Sequence, residues 1–298
     1  MNLFVENEDV IVFKSSTDDL NLEEFLSAKD ISGRLFRRLY KDKKLYVNGK
    51  FQRKNIILSK DDIISLYMGD EEEDIIPEAM DLDIVYEDFS LFILNKGPNI
   101  VVHPTKSHQS NTLSNGISYY FLKNGIKKKI RFVNRLDMDT SGLLVVAKNS
   151  FAHQQMALQF ENNTVEKKYL AVVKGVMEDD YGTIDFPIGR EGEKSIRKAV
   201  TEDGQNALTT YKVVERFREA TLVEVQIYTG RSHQIRVHLN HIGHPIIGDV
   251  LYDEPSSYIR RQALHSYYLK VLHPRTKEIM EFKAELPEDM MNLINLMK

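Results

Sequence analysis

From Arg131 to Asn149 the chain reads RFVNRLDMDTSGLLVVAKN, a charged turn that passes through Thr140, Ser141 and Gly142 into the apolar run Leu143 to Ala147. An apolar run bounded by turn residues predicts a buried strand. A buried strand commits the surrounding chain to a packed sheet. Asp137 sits in the turn, an acid held against hydrophobic chain two residues before a second one, Asp139. A carboxylate so placed is poised for chemistry that surface acids cannot perform, because burial and neighbouring charge tune its ionisation.

The rest of the chain supplies partners for that strand. A strand-turn-strand is predicted over Asp83–Phe89 and Leu91–Lys96, and a helix opened by Asn111 or Thr112 carries Leu113, Ile117 and Tyr120. Ser150 is placed to cap a helix over Phe151–Phe160, Tyr169–Lys174 reads as a buried strand, and Tyr211–Arg216 pairs with Thr221–Ile227. Ser232 is placed to cap a helix with the apolar stripe Ile235, Leu239 and Ile242, ended by Gly243. Short strands with a few helices and no internal repeat predict an α+β domain around a mixed sheet over residues 81–298. Residues 1–68 read as a separate small α+β module. Leu22, Phe25 and Leu26 make one helix face, Ser32 caps a second helix carrying Leu35 and Leu39, Asn48-Gly49 turns a hairpin, and Asp61–Tyr67 adds a strand. Residues 69–80 form an acidic linker, expected to be extended and too charged to pack.

The sequence has no cysteine, which excludes disulfides, thiolate metal sites and cysteine nucleophiles. No long apolar segment is present and Met1–Asp9 is acidic and mixed, so neither a signal peptide nor a membrane span is expected and a cytoplasmic address is. A net charge of −4 argues at first against nucleic acid. Its distribution reverses that. Arg34, Arg37, Arg38, Lys41, Lys43, Lys44, Lys50, Arg53 and Lys54 cluster against the single acid Asp42, with Phe36, Tyr40, Tyr46 and Phe51 interleaved. A second cluster holds Lys123, Lys127, Lys128, Lys129, Arg131 and Arg135, while much of the opposing charge lies in Asp70–Asp83. Screening confines each field to about 10 Å, so local clusters decide phosphate binding, and RNA contact is expected at Arg37, Arg38, Lys41 and Lys128.

Three motifs carry a family resemblance. The Asp137 turn resembles the catalytic signature of the RluA family of RNA pseudouridine synthases, HRLD-x-x-TSG, with Asn134 where the family most often has His. VEKKYLAVVKG, Val165 to Gly175, is similar to the family strand K-x-Y-x-A-x-V-x-G, and TGRSHQIRVHL, Thr229 to Leu239, to the family's TGR-[ST]-HQ-[IL]-R-x-H-[LM]. A weaker match lies at Ala263–Ser266 with His273-Pro274 downstream. The resemblance covers the whole larger domain and implies the pseudouridine synthase fold, a mixed, mostly antiparallel central sheet with flanking helices. The N-terminal module resembles the αL RNA-binding module appended to many members.

The family chemistry breaks the bond between ribose and a ring nitrogen, turns the base, and rejoins the sugar through a ring carbon. That needs an ionised carboxylate near the sugar and neither metal nor cofactor. The resemblance implies Asp137 as that carboxylate; both attack at the sugar and an elimination route are compatible with it. A desolvated Asp stays charged only beside a cation, and Arg236, on the edge of the Ile235–Leu239 stripe, is the candidate. Tyr169 is expected to stack on the flipped-out base, the resemblance also implicates it in the proton removal that finishes the reaction, and Arg135 and Arg231 are expected to contact RNA. The expected partner is RNA, ribosomal in preference to transfer RNA, with the protein a monomer.

Blander readings exist for each residue alone: Asp137 as a turn cap, Tyr169 as a strand aromatic, Arg236 as a surface salt bridge, Arg135 as a partner of Asp139. Three motifs in family order outweigh them. A rival of another class is a catalytically silent RNA-binding or ribosome-assembly factor, against which the intact Asp137–Tyr169–Arg236 set argues. A metal-dependent hydrolase ranks third. His233, His238, His241 and His244, with Asp249, invite a zinc site, but no HExxH pattern is present, so the histidines are expected in caps, turns and phosphate contacts.

Overall fold

The computed structural model describes residues 2–52, 54–105, 108–192 and 195–298; Arg53, counted in the first basic cluster, lies outside them. β1 (Val10–Lys14) begins a small four-stranded sheet. α1 (Leu22–Ser27) starts at Asn21, whose side chain accepts from Glu24 N while the Glu24 carboxylate accepts from Asn21 N. α2 (Gly33–Lys41) starts at Ser32, whose hydroxyl accepts from Leu35 N. Both caps satisfy N–H groups that a helix start leaves unpaired. Leu22, Phe25 and Leu26 pack with Leu35, Phe36 and Leu39, which turns Arg34, Arg37, Arg38 and Lys41 outward. β2 (Leu45–Val47) and β3 (Lys50–Phe51) flank Asn48 and Gly49, whose φ angles of 48° and 74° suit a type I′ turn. β4 (Ile63–Tyr67) pairs antiparallel with β1 and β2.

The larger unit follows as β5 (Ile84–Glu87), β6 (Leu91–Lys96), α3 (Leu113–Lys123), β7 (Arg131–Phe132), β8 (Ser141–Ala147), α4 (Ser150–Glu161), β9 (Glu166–Lys174) and β10 (Tyr181–Asp185). Then come the hairpin β11 (Ile188–Arg190) and β12 (Lys198–Val200), β13 (Leu208–Arg216), β14 (Ala220–Ile227), α5 (Gln234–His241), β15 (Leu264–Leu272), β16 (Ile279–Lys283) and α6 (Glu288–Met297). The sheet runs β10-β13-β14-β9-β15-β8-β6-β5, with β16 on β15 and β7 on β8. Its pairings are antiparallel except β15 with β8. This is an α+β domain around a mixed, mostly antiparallel sheet with flanking helices, as anticipated above.

Every residue of β8 is buried, as its composition requires. Leu144 and Val146 face a core with Ile117 and Phe121 of α3, whereas Leu143 and Val145 face a second core with Met156 of α4 and Phe282 of β16. Each such side chain contributes roughly 1.5–3 kcal/mol by leaving water. β8 meets β15 where Ser141 and Gly142 lie opposite His265 and Ser266. Gly142 has φ 113°, and a Cβ there would lie 2.2 Å from Ser266 O. Only glycine lets the strands close this tightly, one step beyond the Asp137 turn.

Two helix starts differ from expectation. Asn149, not Ser150, caps α4, its side chain accepting from Ala152 N. α5 is preceded by His233 at φ 58° with no side-chain cap bond, in place of Ser232. Gln234 closes that turn instead, accepting from Arg231 N and the Thr229 hydroxyl and donating to Leu208 O and Thr209 Oγ1.

The acidic segment 69–80 packs, contrary to expectation. It is extended, but Asp70, Glu71 and Asp74 pair with Lys127, Arg131 and Lys129. The Glu73 carboxylate accepts from Ile130 N, and Ile75 and Met80 rest on the larger core. Opposite charge brings it down onto the second basic cluster and neutralises much of that cluster, at the surface for Lys127 and Lys129 and in a largely buried pair for Arg131. Lys128 is the clearest correction. It is 3% exposed, and its ammonium donates to Asp9 Oδ1 at 2.6 Å and to Met68 O at 3.0 Å. A lysine this buried needs a carboxylate, so Lys128 joins the N-terminal residues to the larger unit and is withdrawn from RNA. Phe151 of α4 completes the N-terminal core, and Arg275 donates to Asn7 O and Glu8 O across the same junction. Among the described residues no helix is long and apolar enough to cross a membrane.

Candidate active site

Asp137 lies in the turn between β7 and β8, and the turn is fixed through its backbone. Thr140 N donates to Asp137 O at 3.1 Å. Lys96, at the end of β6 and 1% exposed, donates to Met138 O and Gly97 O at 2.7 Å and to Ile100 O at 3.1 Å. Burial presses its pKa down to about 7 against the upward pull of Asp139 and Asp137, and the three carbonyls engage all three N–H bonds of the ammonium form. Arg261 adds a bond to Asp139 O at 3.0 Å. Asn134 accepts from Val145 N at 2.8 Å and donates to Leu143 O at 3.4 Å. It thus acts as a side-chain rung onto β8, and it brings no titrating proton to the site.

Arg236 projects from α5 to the same place. Its Nη1 donates to Asp137 Oδ2 at 2.8 Å. Its Nε and Nη2 grip Asp249 at 2.6 and 2.7 Å. Asp249 is 1% exposed, whereas the Asp137 side chain is 33% exposed. Asp249 therefore anchors the guanidinium, and Asp137 keeps one face open to whatever enters. Burial alone would depress the guanidinium, but the bonds and charge of Asp249, then of Asp137, hold it above the ordinary arginine range. Asp249, considered above as a zinc ligand, is committed to Arg236. Gly248, at φ 81°, would place a Cβ 2.2 Å from Arg261 O, so the segment carrying Asp249 tolerates only glycine there.

Tyr169, on β9, lines the same cleft of about 730 Å³ as Asp137, Arg236, Arg135, Arg231 and His233, within the usual size range for small-ligand sites. Burial, and then the charge of Asp137, pushes its phenol up to about 12 against a Ser266 hydrogen bond, so at neutral pH it is a protonated ring. Arg135 is exposed at the cleft and forms no ion pair with Asp139 or any other described residue. Arg231 donates through Nε to Asn206 O at 2.9 Å. Arg37, Arg38 and Lys41 sit on α2, outside this cleft, and are exposed. Among the described residues no group of three or more His, Asp and Glu is arranged to hold a metal ion. His238 bonds Thr209 Oγ1 and Phe186 O, and His244 bonds Lys174 O.

Sequence reading missed Lys96, Arg261, Tyr252 and the true role of Asp249. The one available signal was the segment Gly248-Asp249-Val250-Leu251-Tyr252, a lone acid after a glycine in otherwise apolar and aromatic chain downstream of the Arg236 helix. The assembled site has a half-open carboxylate, a fixed cation and a buried aromatic ring. It can hold a planar ring beside a carboxylate that a guanidinium contacts directly.

Residues 90–241 match the family model described as RNA pseudouridylate synthase, a span that includes Asp137, Tyr169 and Arg236. The uncharacterized RNA pseudouridine synthase YlyB of Bacillus subtilis (strain 168) is 44% identical over 285 residues, 93% of this chain and 94% of that protein. Ribosomal large subunit pseudouridine synthase D of Pseudomonas aeruginosa is 36% identical over 273 residues, 87% of this chain and 85% of that protein. The solved structure of human RNA pseudouridylate synthase domain containing 1 aligns at TM-score 0.56 and 29% identity, over 69% of this chain and 83% of that one.

Proposed function

The chain belongs to the RNA pseudouridylate synthase family, and from that premise we propose that it isomerises particular uridines of large-subunit ribosomal RNA, with Asp137 acting at the sugar of a flipped-out nucleotide. The observation that carries the residue assignment is the 2.8 Å contact of Asp137 with Arg236 inside the cleft that Tyr169 lines. Flipping a base out of its stack costs a few kcal/mol, and stacking on Tyr169 offsets about 1–3 kcal/mol of it. The high phenol pKa supports a stacking role for Tyr169 over a role as proton acceptor. Arg135 and Arg231, at the cleft, are suited to phosphates flanking the target, and Arg37, Arg38 and Lys41 to a more distant stretch of RNA.

Ribosomal RNA is favoured by relatives carrying that substrate in their names and by the exposed basic face of α2, which forms no ion pair among the described residues. The proposed working form is a monomer, since Asp137, Tyr169, Arg236 and Asp249 meet within one chain, and the proposed location is the cytoplasm, where that RNA is found in bacteria such as those of the named relatives. The test is release of tritium from RNA carrying uridine tritiated at ring carbon five, joined to pseudouridine mapping in total RNA from a strain lacking the protein. Asp137→Asn is expected to stop release with RNA affinity retained. Normal pseudouridine formation by that variant would eliminate the residue assignment, and sites lost only from transfer RNA would move the substrate.

A further inference from the structure

His233 occupies a backbone position that its own helix does not explain. It precedes α5 at φ 58° and ψ 18°, left-handed and costly for a residue with a Cβ, and no side-chain cap bond offsets that cost. Strain of this kind persists where surrounding structure holds a side chain in place. Here it holds the imidazole beside Asp137, with Nε2 at 3.9 Å from Asp137 Oδ2 and the side chain only 20% exposed.

The other ring nitrogen fixes the tautomer. Nδ1 lies 2.9 Å from the Tyr252 hydroxyl. That hydroxyl oxygen already accepts from Lys198 N, on β12, at 2.9 Å. Its own proton is then best directed to Nδ1, which leaves the ring hydrogen on Nε2, facing the cleft. At 3.9 Å the Asp137 oxygen is too far to accept it, and no other acceptor among the described residues engages it. Tyr252 is itself held: it is buried, and Arg236 and Arg197 stand 5.1 and 5.2 Å from its ring centre. The groups facing His233 are Asp137, Arg236, Asp249, Lys198 and Tyr252. Burial lowers the imidazole pKa and Asp137 only partly opposes this, so the ring is neutral near pH 7.

We propose that His233 touches the substrate, donating its Nε2–H to a carbonyl oxygen of the uracil as the base leaves the sugar, with Tyr252 as the residue that positions it. This deepens the reading above and rests on it. When the bond from ribose carbon to N1 breaks, the electron pair stays with the base, and its negative charge spreads from N1 onto the ring carbonyl oxygens. A donor aimed at one of those oxygens binds this state more tightly than neutral uridine, and that difference is what accelerates a reaction. Neutrality matters as much as the bond. An imidazolium would protonate the departing base, whereas a neutral donor keeps its hydrogen and leaves the ring electron-rich at C5. C5 then bonds to the sugar carbon, displacing the Asp137 carboxylate; the hydrogen on C5 leaves as a proton to water and N1 takes one up from water, so that the product is an isomer of uridine.

Two measurements test this. Nitrogen-15 NMR of histidine-labelled wild-type protein should show His233 as the Nε2–H tautomer at neutral pH, and Tyr252→Phe should produce a tautomer mixture. A wild-type His233 found as the Nδ1–H tautomer or as imidazolium overturns the proposal without any variant being made. In single-turnover tritium release on a large-subunit ribosomal RNA transcript, His233→Leu should lower the saturated rate by about 10²–10³-fold, the usual loss for one such donor, with RNA affinity unchanged. His233→Asn, which keeps an amide donor and tolerates the left-handed backbone, should recover part of it. A folded His233→Leu variant as fast as wild type refutes the role. Failure of the underlying reading looks different: wild type would then release no tritium, or Asp137→Asn would release it normally.

Discussion

Replacing Asp249 by asparagine, alongside the same change at Asp137, tests how the charge at Arg236 is held. Asp249 meets the guanidinium at 2.6 and 2.7 Å and is 1% exposed. An amide of the same shape keeps one acceptor but turns N–H groups toward a guanidinium that has only N–H groups to offer. Removing one member of a buried pair costs about 3–5 kcal/mol. Asp137 still supplies a carboxylate at 2.8 Å, so the low end, about 3 kcal/mol, is expected. That is roughly two decades in the folding equilibrium and, for a chain of this size, a fall in Tm of about 6–12 °C. Asp137→Asn behaves oppositely. The Asp137 side chain is 33% exposed, its replacement can still accept from Nη1, and the remaining Arg236–Asp249 pair is electrically balanced, so stability should stay within about 1 kcal/mol of wild type. Urea unfolding followed by circular dichroism, paired with tritium release, reads both. Asp249→Asn should be unstable and slowed; Asp137→Asn should be stable and inactive. Equal stability of Asp249→Asn and wild type, or a larger loss from Asp137→Asn, would refute the division of anchor from working acid.

Three further outcomes follow from the same structure. Arg37→Ala and Arg38→Ala should weaken RNA binding and flatten the plot of log affinity against log salt by about 0.7–0.9 for each phosphate no longer neutralised, while Lys128→Ala should lower stability and leave that slope alone; filter binding across a salt series decides. The Asp88 carboxyl is driven up by burial but more strongly down by His273, Leu91 N, Ser90 N and Tyr86, to about 2. A depressed carboxylate pKa stabilises fully above its unfolded value and is lost as pH falls through the folded one, so the gap between wild type and Asp88→Asn, roughly 1–2 kcal/mol after screening, should be complete above about pH 4 and close toward pH 2. If that gap is unchanged at pH 2, the His273–Asp88 contact is not its source. Gly142→Ala, at φ 113° and with Ser266 O 2.2 Å from the added carbon, should cost at least about 3 kcal/mol in urea unfolding; a loss within about 1 kcal/mol would mean that β8 and β15 do not meet as described.

Much was legible in the sequence because it is local. The all-buried β8 follows from Leu143–Ala147, the β2–β3 hairpin from Asn48-Gly49, and the outward basic face of α2 from the apolar spacing of Leu35 and Leu39. Asp137, Tyr169 and Arg236 could be named because each lies in a short motif with its own local geometry. Other features depend on partners that no short window contains. Arg236 and Asp137 are 99 positions apart, Lys128 and Asp9 are 119 apart, and Arg261 and Asp139 are 122 apart. Periodicity and turn chemistry act over a few residues and therefore leave a mark in sequence. The pairing of a buried charge is settled by packing, which makes an uncompensated charge too costly and selects whichever opposite group the fold brings near. For that reason the acidic segment, expected to stay unpacked, and the second basic cluster, expected to meet RNA, pair largely with each other, and Asp249 became the anchor of Arg236.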